Sequence, residues 1–290
     1  MNHYLPISLL ASTALLLCSC SDESRTAEEL LPTSAIRFSP SLLEEESGRG
    51  TVTDNTLLQT GGFGVMGYLH TTGAIPNYSV VPNFMNNQPV TYNGGSAEWT
   101  YSPLKYWPAN SNDRLDFLAY APYASTNIQV NGSTLTFTVN ADPDQQTDLV
   151  VAAPKKNVHQ ANASTGIQFT FSHLLSRIEF SATSADGTTP ITVHSISLTG
   201  NFSSSGTVDL SSDAPCIIGG TPTERTYTLT GGMGCLFLIP TSTATPSATV
   251  RYTAGEATTE KTIPLTTTSF AAGKSYHINL QIDTGNATNQ

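Results

Sequence analysis

The chain has 290 residues, enough for two domains of ordinary size, and its 38% apolar content is too high for a disordered polypeptide. Only 12% of the residues are charged, and the formal net charge of −10 argues against nucleic-acid binding, because phosphates attract a basic surface. We therefore expect a folded protein that does not have nucleic acid as a partner.

The N-terminus carries a short apolar run that ends in Leu17-Cys18-Ser19-Cys20. This run is too short to cross a bilayer of roughly 30 Å, which favours a removed signal over a membrane helix. Cys20 follows a small serine, whereas Cys18 follows a bulky leucine, so Cys20 is the better lipid acceptor. We predict a bacterial lipoprotein signal over residues 1–19 and lipidation of Cys20. An ordinary secretory signal with accidental cysteines is the alternative.

Residues 20–49 are predicted to form an acidic leader, with seven acidic and three basic side chains. Such acidic runs usually stay solvated. Within the leader, Ile36 and Phe38 lie on one side of an extended strand, because side chains of a strand alternate between its two faces. The leader ends in Ser47-Gly48-Arg49-Gly50, a small and flexible stretch of the kind that proteases reach.

After the leader, the sequence pattern is almost wholly β. Short alternating runs are separated by Asn93-Gly94-Gly95, Asn131-Gly132 and Asp186-Gly187. Asn-Gly and Asp-Gly supply the positive φ that tight turns require. No segment shows a sustained apolar period of 3.6 residues, so the sequence predicts an all-β chain.

A polar stretch from Lys155 to Thr165 separates two apolar runs, and strands recur about every 8–12 residues on both sides of it. This spacing suggests two β-sandwiches, an N-terminal one over residues 50–158 and a C-terminal one over 159–290. Cys216 and Cys235 are either a disulfide pair of an exported protein or two buried free thiols.

The last apolar run alternates almost without fault. Tyr276, Ile278, Leu280 and Ile282 face one way, with polar residues between them. Such a segment can pair with an exposed sheet edge of another molecule, which makes these four residues candidates for a donated strand. The alternative is that the run is the last strand of its own domain.

Catalytic and cofactor motifs are missing from the sequence: HExxH, GxSxG and GxxxxGK are all absent. The six histidines stand singly, at positions 3, 70, 159, 173, 194 and 277. We predict no catalytic residue, no cofactor and no metal site, and we do not expect an enzyme.

Several segments, taken in order, resemble the fimbrillin family of Bacteroidales surface lipoproteins, which supply the subunits of pili. The matching segments are Ile36-Arg37-Phe38, Gly62-Phe63-Gly64-Val65, Trp99-Thr100-Tyr101-Ser102-Pro103-Leu104-Lys105-Tyr106-Trp107-Pro108, Leu115-Asp116-Phe117-Leu118-Ala119-Tyr120-Ala121-Pro122, Asp148-Leu149-Val150-Val151-Ala152, Phe169-Thr170-Phe171-Ser172-His173-Leu174-Leu175-Ser176-Arg177-Ile178, Phe237-Leu238-Ile239-Pro240 and Ala272-Gly273-Lys274-Ser275-Tyr276-His277-Ile278-Asn279-Leu280. Their joint order extends over nearly the whole chain.

The resemblance implies two tandem transthyretin-like Greek-key β-sandwiches and a maturation route. The lipoprotein-processing machinery would lipidate and export the precursor, and a trypsin-like protease would cut it after an arginine that follows the first strand. Arg49-Gly50 stands at that place, whereas Arg25 precedes the strand and Arg37 lies inside it. Cleavage would remove the strand of Ile36 and Phe38, and a terminal strand of a neighbouring subunit would fill the groove.

The resemblance therefore predicts a structural subunit or tip adhesin of a cell-surface pilus, held in the outer membrane by its lipid before assembly. Its expected partners are other pilus subunits, identical or paralogous, and a receptor on a host or bacterial surface. The alternative function is a surface glycan-binding lipoprotein of a polysaccharide-uptake system. That alternative requires Trp99, Tyr101, Tyr106 and Trp107 to form an exposed platform, whereas the β pattern favours their packing inside the protein.

Overall fold

The computed structural model describes residues 35–43, 56–123, 125–163 and 165–284. Within these ranges the chain forms eighteen strands, one six-residue helix and two 3₁₀ turns, at Pro143–Gln145 and Gln160–Asn162. The prediction of an all-β chain is confirmed. None of the described residues belongs to a helix that could cross a membrane.

The helix and strands follow one another in the order β1 (Phe38–Leu42), α1 (Thr56–Gly61), β2 (Phe63–Thr71), β3 (Met85–Asn93), β4 (Glu98–Thr100), β5 (Asp113–Ala121), β6 (Ile128–Asn131), β7 (Thr134–Thr138), β8 (Val150–Val158), β9 (Ile167–His173), β10 (Ser176–Ser184), β11 (Ile191–Phe202), β12 (Ser205–Asp209), β13 (Ile217–Gly219), β14 (Thr223–Thr230), β15 (Cys235–Leu238), β16 (Ser247–Ala254), β17 (Ala257–Pro264) and β18 (Ser275–Ile282).

The largest sheet has seven strands in the order β1-β9-β8-β5-β2-β3-β4. Its neighbouring strands are antiparallel, except that β1 runs parallel to β9. The β3–β4 hairpin is closed by the predicted Asn93-Gly94-Gly95 turn. Strand β1 stands at the end of this order and has β9 as its one neighbour in the sheet. The first strand of the described chain therefore forms one edge of the sheet.

The central strands β2 and β5 are buried on both faces. Along β2, Phe63 and Val65 face one hydrophobic core, whereas Met66 and Tyr68 face another. Burial on both faces explains why β5 is a nearly continuous apolar run instead of an alternating one. The core around Phe63 is called the first core below, and the core around Met66 and Tyr68 is called the second core.

Three smaller sheets complete the fold, with the orders β15-β10-β18, β14-β11-β16-β17 and β13-β12-β7-β6. The Asn131-Gly132 turn joins β6 to β7 as predicted, and Gly132 has a φ of +58°. A Cβ at this glycine would lie 2.6 Å from the carbonyl oxygen of Tyr78, so the turn also needs the close approach that glycine permits. By contrast, the Asp186-Gly187 loop does not close a hairpin, because β10 and β11 lie in different sheets.

The structure differs from the predicted division between residues 158 and 159. Strand β9, which follows this point, pairs with β8, which precedes it. Strand β7 pairs with β12 across the same point, and the second core combines side chains from both halves. The described residues therefore cluster as one compact unit, in which the halves share sheets. The first residues of the polar stretch, Lys155 to Val158, belong to β8, so the polar composition does not mark a boundary between sheets.

Candidate functional site

Strand β1 lies at the edge of the seven-stranded sheet; of the two apolar residues predicted from the leader, Phe38 is its first residue and Ile36 lies just before it. Phe38 pairs with Ile167 and Leu42 with Phe171, in parallel register. The strand begins two residues later than the apolar pattern predicts, but Ile36 is fully buried and Phe38 is only 6% exposed. Pro40 is tolerated here because an edge strand has one side without a ladder partner.

The ring of Phe38 lies in a cage of four aromatic rings. Its centroid is 5.5 Å from that of Tyr101, 5.8 Å from those of Phe117 and Phe169, and 6.1 Å from that of Phe63. The Phe169 ring stacks on it at 17°, whereas the Phe63 and Phe117 rings meet it edge-on. Burying a phenylalanine side chain contributes roughly 1.5–3 kcal/mol.

The main chain just before β1 is bound from both sides. The Ile36 N–H donates to the carbonyl of Lys105 at 2.9 Å, and the Tyr101 hydroxyl donates to the carbonyl of Ile36 at 2.8 Å. On the other side, the Ile167 N–H donates to the carbonyl of Arg37 at 2.8 Å. Burial raises the pKa of Tyr101, which keeps its hydroxyl protonated as a donor. We call the Tyr101 hydroxyl, the Lys105 carbonyl and the Ile167 N–H the backbone clamp.

Gly166 allows the close approach of the two segments at the hydrogen bond from the Ile167 N–H to the Arg37 carbonyl. It has a φ of +97°, and a Cβ there would lie 3.2 Å from the carbonyl oxygen of Arg37. A side chain at this position would strain the backbone and press on the carbonyl that Ile167 binds.

Loss of β1 would uncover two features of the same groove. Strand β9 would present a row of unpaired backbone groups, and the four rings around Phe38 would line an apolar trough. An unpaired edge beside an apolar trough is a template for a strand from another chain. The arrangement can therefore bind an extended polypeptide.

The predicted donor residues all lie in β18, which pairs with β10 in a parallel register of eight residues. Ile282 is fully buried and Leu280 is 2% exposed, whereas Tyr276 and Ile278 are half-buried. The Tyr276 ring packs edge-on against Phe270 at 5.1 Å. In this structure β18 thus completes its own fold, which is the alternative that the sequence left open.

The remaining predictions about processing concern residues outside the described ranges. Cys20 lies in segment 1–34, and Arg49 and Gly50 lie in segment 44–55, none of which is among the described residues. Cys216 and Cys235 are free thiols, one exposed and one half-buried, and do not form a disulfide. The described residues include no group of three His, Cys, Asp or Glu side chains placed to hold a metal ion.

The four aromatic residues that a glycan platform would need are mostly enclosed. Tyr101 and Trp107 are buried, and Trp99 is half-buried against Phe63 at 5.2 Å between centroids. Tyr106 alone among these four is largely exposed, at 45%. Their placement agrees with packing inside the protein.

A buried polar cluster surrounds Asp116, which is 2% exposed, and was not predicted from the sequence. Its carboxylate accepts hydrogen bonds from the Tyr78 hydroxyl, from the Asn157 N–H at 2.6 Å and from His70 Nε2 at 3.0 Å. A single acidic residue inside the apolar run of β5 was the available signal, because a buried carboxylate needs partners. Tyr78 belongs to the β2–β3 loop, so the cluster fixes this loop to the sheet.

Comparison with known proteins gives one family and several similar folds. The model of a family described as fimbrillin-like matches residues 50–290. A fimbrial protein from Bacteroides vulgatus has a TM-score of 0.58 at 19% identity, over 86% of this chain and 95% of the other. A protein assigned to cell adhesion from Bacteroides uniformis has a TM-score of 0.59 at 18% identity, over 87% and 94%. No curated protein sequence matches this chain significantly.

Proposed function

The chain belongs to the fimbrillin-like family, and from this premise we propose that it is the lipoprotein precursor of a pilus subunit or tip adhesin that assembles by strand replacement. The family is one of structural proteins of cell-surface pili, so the chain is not an enzyme. Its place in the outer membrane before assembly, its lipid anchor and the exchange of strands are parts of the proposal.

One observation carries the proposal: Ile36 and Phe38 are buried in the core, although β1 lies at a sheet edge. It precedes segment 44–55, which contains Arg49, and the next described element is α1. A cut after Arg49 would leave β1 attached to its groove only by noncovalent contacts. A neighbouring subunit could then supply a strand in its place.

The energetics favour a long-lived product. A replacing strand regains the apolar burial of Ile36 and Phe38, roughly 3–6 kcal/mol for the two side chains. It also regains the clamp and the β9 ladder, whereas ordering of the strand and association subtract from the total. Removal of the tethered β1 supplies the free groove, so assembly waits for proteolysis.

Processing starts at Cys20 in this proposal, with lipidation and export, and continues with a trypsin-like cut after Arg49. Cutting after Arg25 would leave β1 attached to the rest of the chain. Cutting after Arg37 is opposed by the fold, because its carbonyl is bound by Ile167 and its neighbours Ile36 and Phe38 are buried. The mature chain then begins at Gly50.

The partners in this proposal are other subunits of the same pilus, together with a receptor on a host or bacterial surface for an adhesin at the tip. Tyr276, Ile278, Leu280 and Ile282 stay the candidates for a strand that this chain donates. Donation of β18 requires that it first leave β10, with which all eight of its residues pair.

Limited trypsin treatment of the purified precursor mixed with other subunits of the pilus, followed by electrophoresis without boiling, tests the proposal. We expect an oligomer ladder only after the leader is lost, and N-terminal sequencing of the ladder should begin at Gly50. The Arg49→Ala variant is the matched control and should stay monomeric under the same treatment. A ladder from uncut Arg49→Ala protein, or a cut protein that keeps its leader and stays monomeric with added subunits, would overturn the proposal.

A further inference from the structure

We propose that the groove under β1 selects a strand with an aliphatic and an aromatic residue two positions apart, in that order, and that this strand comes from a different subunit rather than from β18 of a second copy. The inference rests on the proposed strand replacement and names the partner of that same site. Its physical basis is that one part of the groove binds main-chain atoms, which every sequence offers, whereas another part binds side chains and distinguishes between them.

The backbone clamp is the part that binds a strand regardless of its sequence. The Tyr101 hydroxyl, the Lys105 carbonyl and the Ile167 N–H all bind main-chain atoms of Ile36 or Arg37. Any residue other than proline offers the same N–H and carbonyl groups at these positions. The clamp therefore fixes where a strand sits along the groove, and it does not choose between strands.

The selective part is the cage around Phe38. Its walls are four rings, with centroids 5.5–6.1 Å from that of Phe38, and one of them, Phe169, is nearly parallel to the Phe38 ring and offset from it. An aromatic ring fills this space with the offset-stacked and edge-on contacts that aromatic pairs prefer. An aliphatic side chain leaves part of the space empty, and an empty apolar space in a core is costly. Two residues earlier, the site of Ile36 is fully enclosed and excludes a charged side chain.

Strand β18 does not meet these two requirements when it runs in the direction of β1. Placing Tyr276 in the cage puts Lys274 at the enclosed site of Ile36. Placing Tyr276 at the site of Ile36 puts Ile278 in the aromatic cage. The order of aliphatic and aromatic residues in β18 is the reverse of the order in β1. In addition, Leu280 and Ile282 are already buried in their own fold.

The test uses the chain from Ser21 onward, which contains the whole compact unit that begins at Ser34. After trypsin cleavage at Arg49 the trypsin is inhibited, fluorescein-labelled peptides are added in excess, and uptake is measured by anisotropy and by mass spectrometry of the released leader. The probes are the peptide of residues 34–43, its Phe38→Ala, Phe38→Tyr and Arg37→Ala variants, and the peptide of residues 274–284 with and without Ile278→Phe. Changing the peptide leaves the fold of the protein untouched.

We expect the Phe38→Ala peptide to bind roughly 10- to 100-fold more weakly than the parent peptide, from the buried area of one phenylalanine. The Phe38→Tyr and Arg37→Ala peptides should bind within about threefold of it, because one keeps the ring and the other changes an exposed side chain. The peptide of β18 should bind as weakly as Phe38→Ala, and Ile278→Phe should strengthen it about tenfold. In the protein, Tyr101→Phe should weaken all peptides by a similar factor, since its hydroxyl binds main chain only.

Two results would overturn the inference without contradicting strand replacement. One is a Phe38→Ala peptide that binds as tightly as its parent, and the other is a β18 peptide that binds as tightly as the parent peptide. If the parent peptide itself never enters the cut protein, strand replacement fails and the inference fails with it. The parent peptide therefore separates failure of the proposed function from failure of the partner assignment.

Discussion

The aromatic cage shows how much of the candidate site depends on single residues from distant parts of the chain. Phe38 contacts rings that are carried by β2, β5, β9 and the segment after β4. Each ring is an ordinary apolar residue in its own strand. Position 38 favours an aromatic side chain only because these four rings come together around it.

Truncation of the Phe38 side chain measures how much its burial stabilises the precursor. We expect Phe38→Ala in the precursor to lower the free energy of unfolding by about 3–5 kcal/mol, because it empties a space between packed rings. Arg37→Ala, one residue away on the exposed side, should change it by less than about 0.5 kcal/mol. Urea unfolding of both variants provides the measurement. A loss below about 1 kcal/mol for Phe38→Ala would mean that the cage does not hold β1.

Among the strands, β1 combines one buried side chain, Phe38, and two half-buried ones, Pro40 and Leu42, with a backbone that pairs with a single strand of the sheet. It pairs with one strand of the large sheet, in parallel register over five residues, and it stands first in the described chain. A strand inside the sheet would need two ladders to break before it could leave. An edge strand needs one, so removal of β1 leaves the rest of the sheet paired.

A reversible covalent link between β1 and β9 tests whether the strand has to leave. Ser39 and Gln168 are paired neighbours on the exposed face, and neighbouring strands lie about 4.8 Å apart, within reach of a disulfide. With other subunits of the pilus present, we expect Ser39→Cys with Gln168→Cys, in a background of Cys216→Ser and Cys235→Ser, to form no ladder after cleavage at Arg49.

Adding a reductant to the same sample provides the internal control, because it should restore the ladder. Ladder formation by the oxidised, cut protein would show that assembly proceeds with β1 in place, and it would remove strand replacement from the proposal. Electrophoresis with and without reductant distinguishes the two results.

At the scale of the whole molecule, the second core joins both halves of the chain and contains several buried tyrosines. Burial raises the pKa of Tyr68 and of Tyr120 to about 12 in each case. The Tyr120 hydroxyl donates to Asn87 Oδ1 at 2.9 Å, and the Tyr68 hydroxyl donates to the carbonyl of Tyr78 at 3.0 Å. The fold therefore favours the neutral form of both rings.

This preference predicts loss of stability in alkali. Because the folded-state pKa lies above the ordinary value of 10.0, the stabilisation is fully present below pH 10 and is lost as the pH rises towards 12. We expect the melting temperature to fall between pH 10 and pH 12, and to fall less steeply in Tyr120→Phe, which has one group fewer to ionise. Thermal scans from pH 8 to pH 12 measure both slopes. Equal slopes for the parent and the variant would contradict the assignment to Tyr120.

Local pattern predicted the fold class and several turns, because alternation and turn residues act over a few neighbouring positions. The β3–β4 and β6–β7 hairpins follow from Asn93-Gly94-Gly95 and Asn131-Gly132. The loop at Asp186-Gly187 has the same chemistry but connects two sheets, since the pairing of β10 is decided by β15 and β18. A turn motif determines the backbone conformation at the turn. It does not determine which strands the two flanking strands pair with.

Residue types and their order were enough to predict an all-β chain, the buried face shared by Ile36 and Phe38, and the resemblance to fimbrillins. The strand pairs across the predicted boundary, the position of β18 and the rings that enclose Phe38 became visible only in the folded chain. Strand pairing and ring packing join residues as distant in the sequence as Phe38 and Phe169, and the energy of such contacts depends on the whole chain having folded around them.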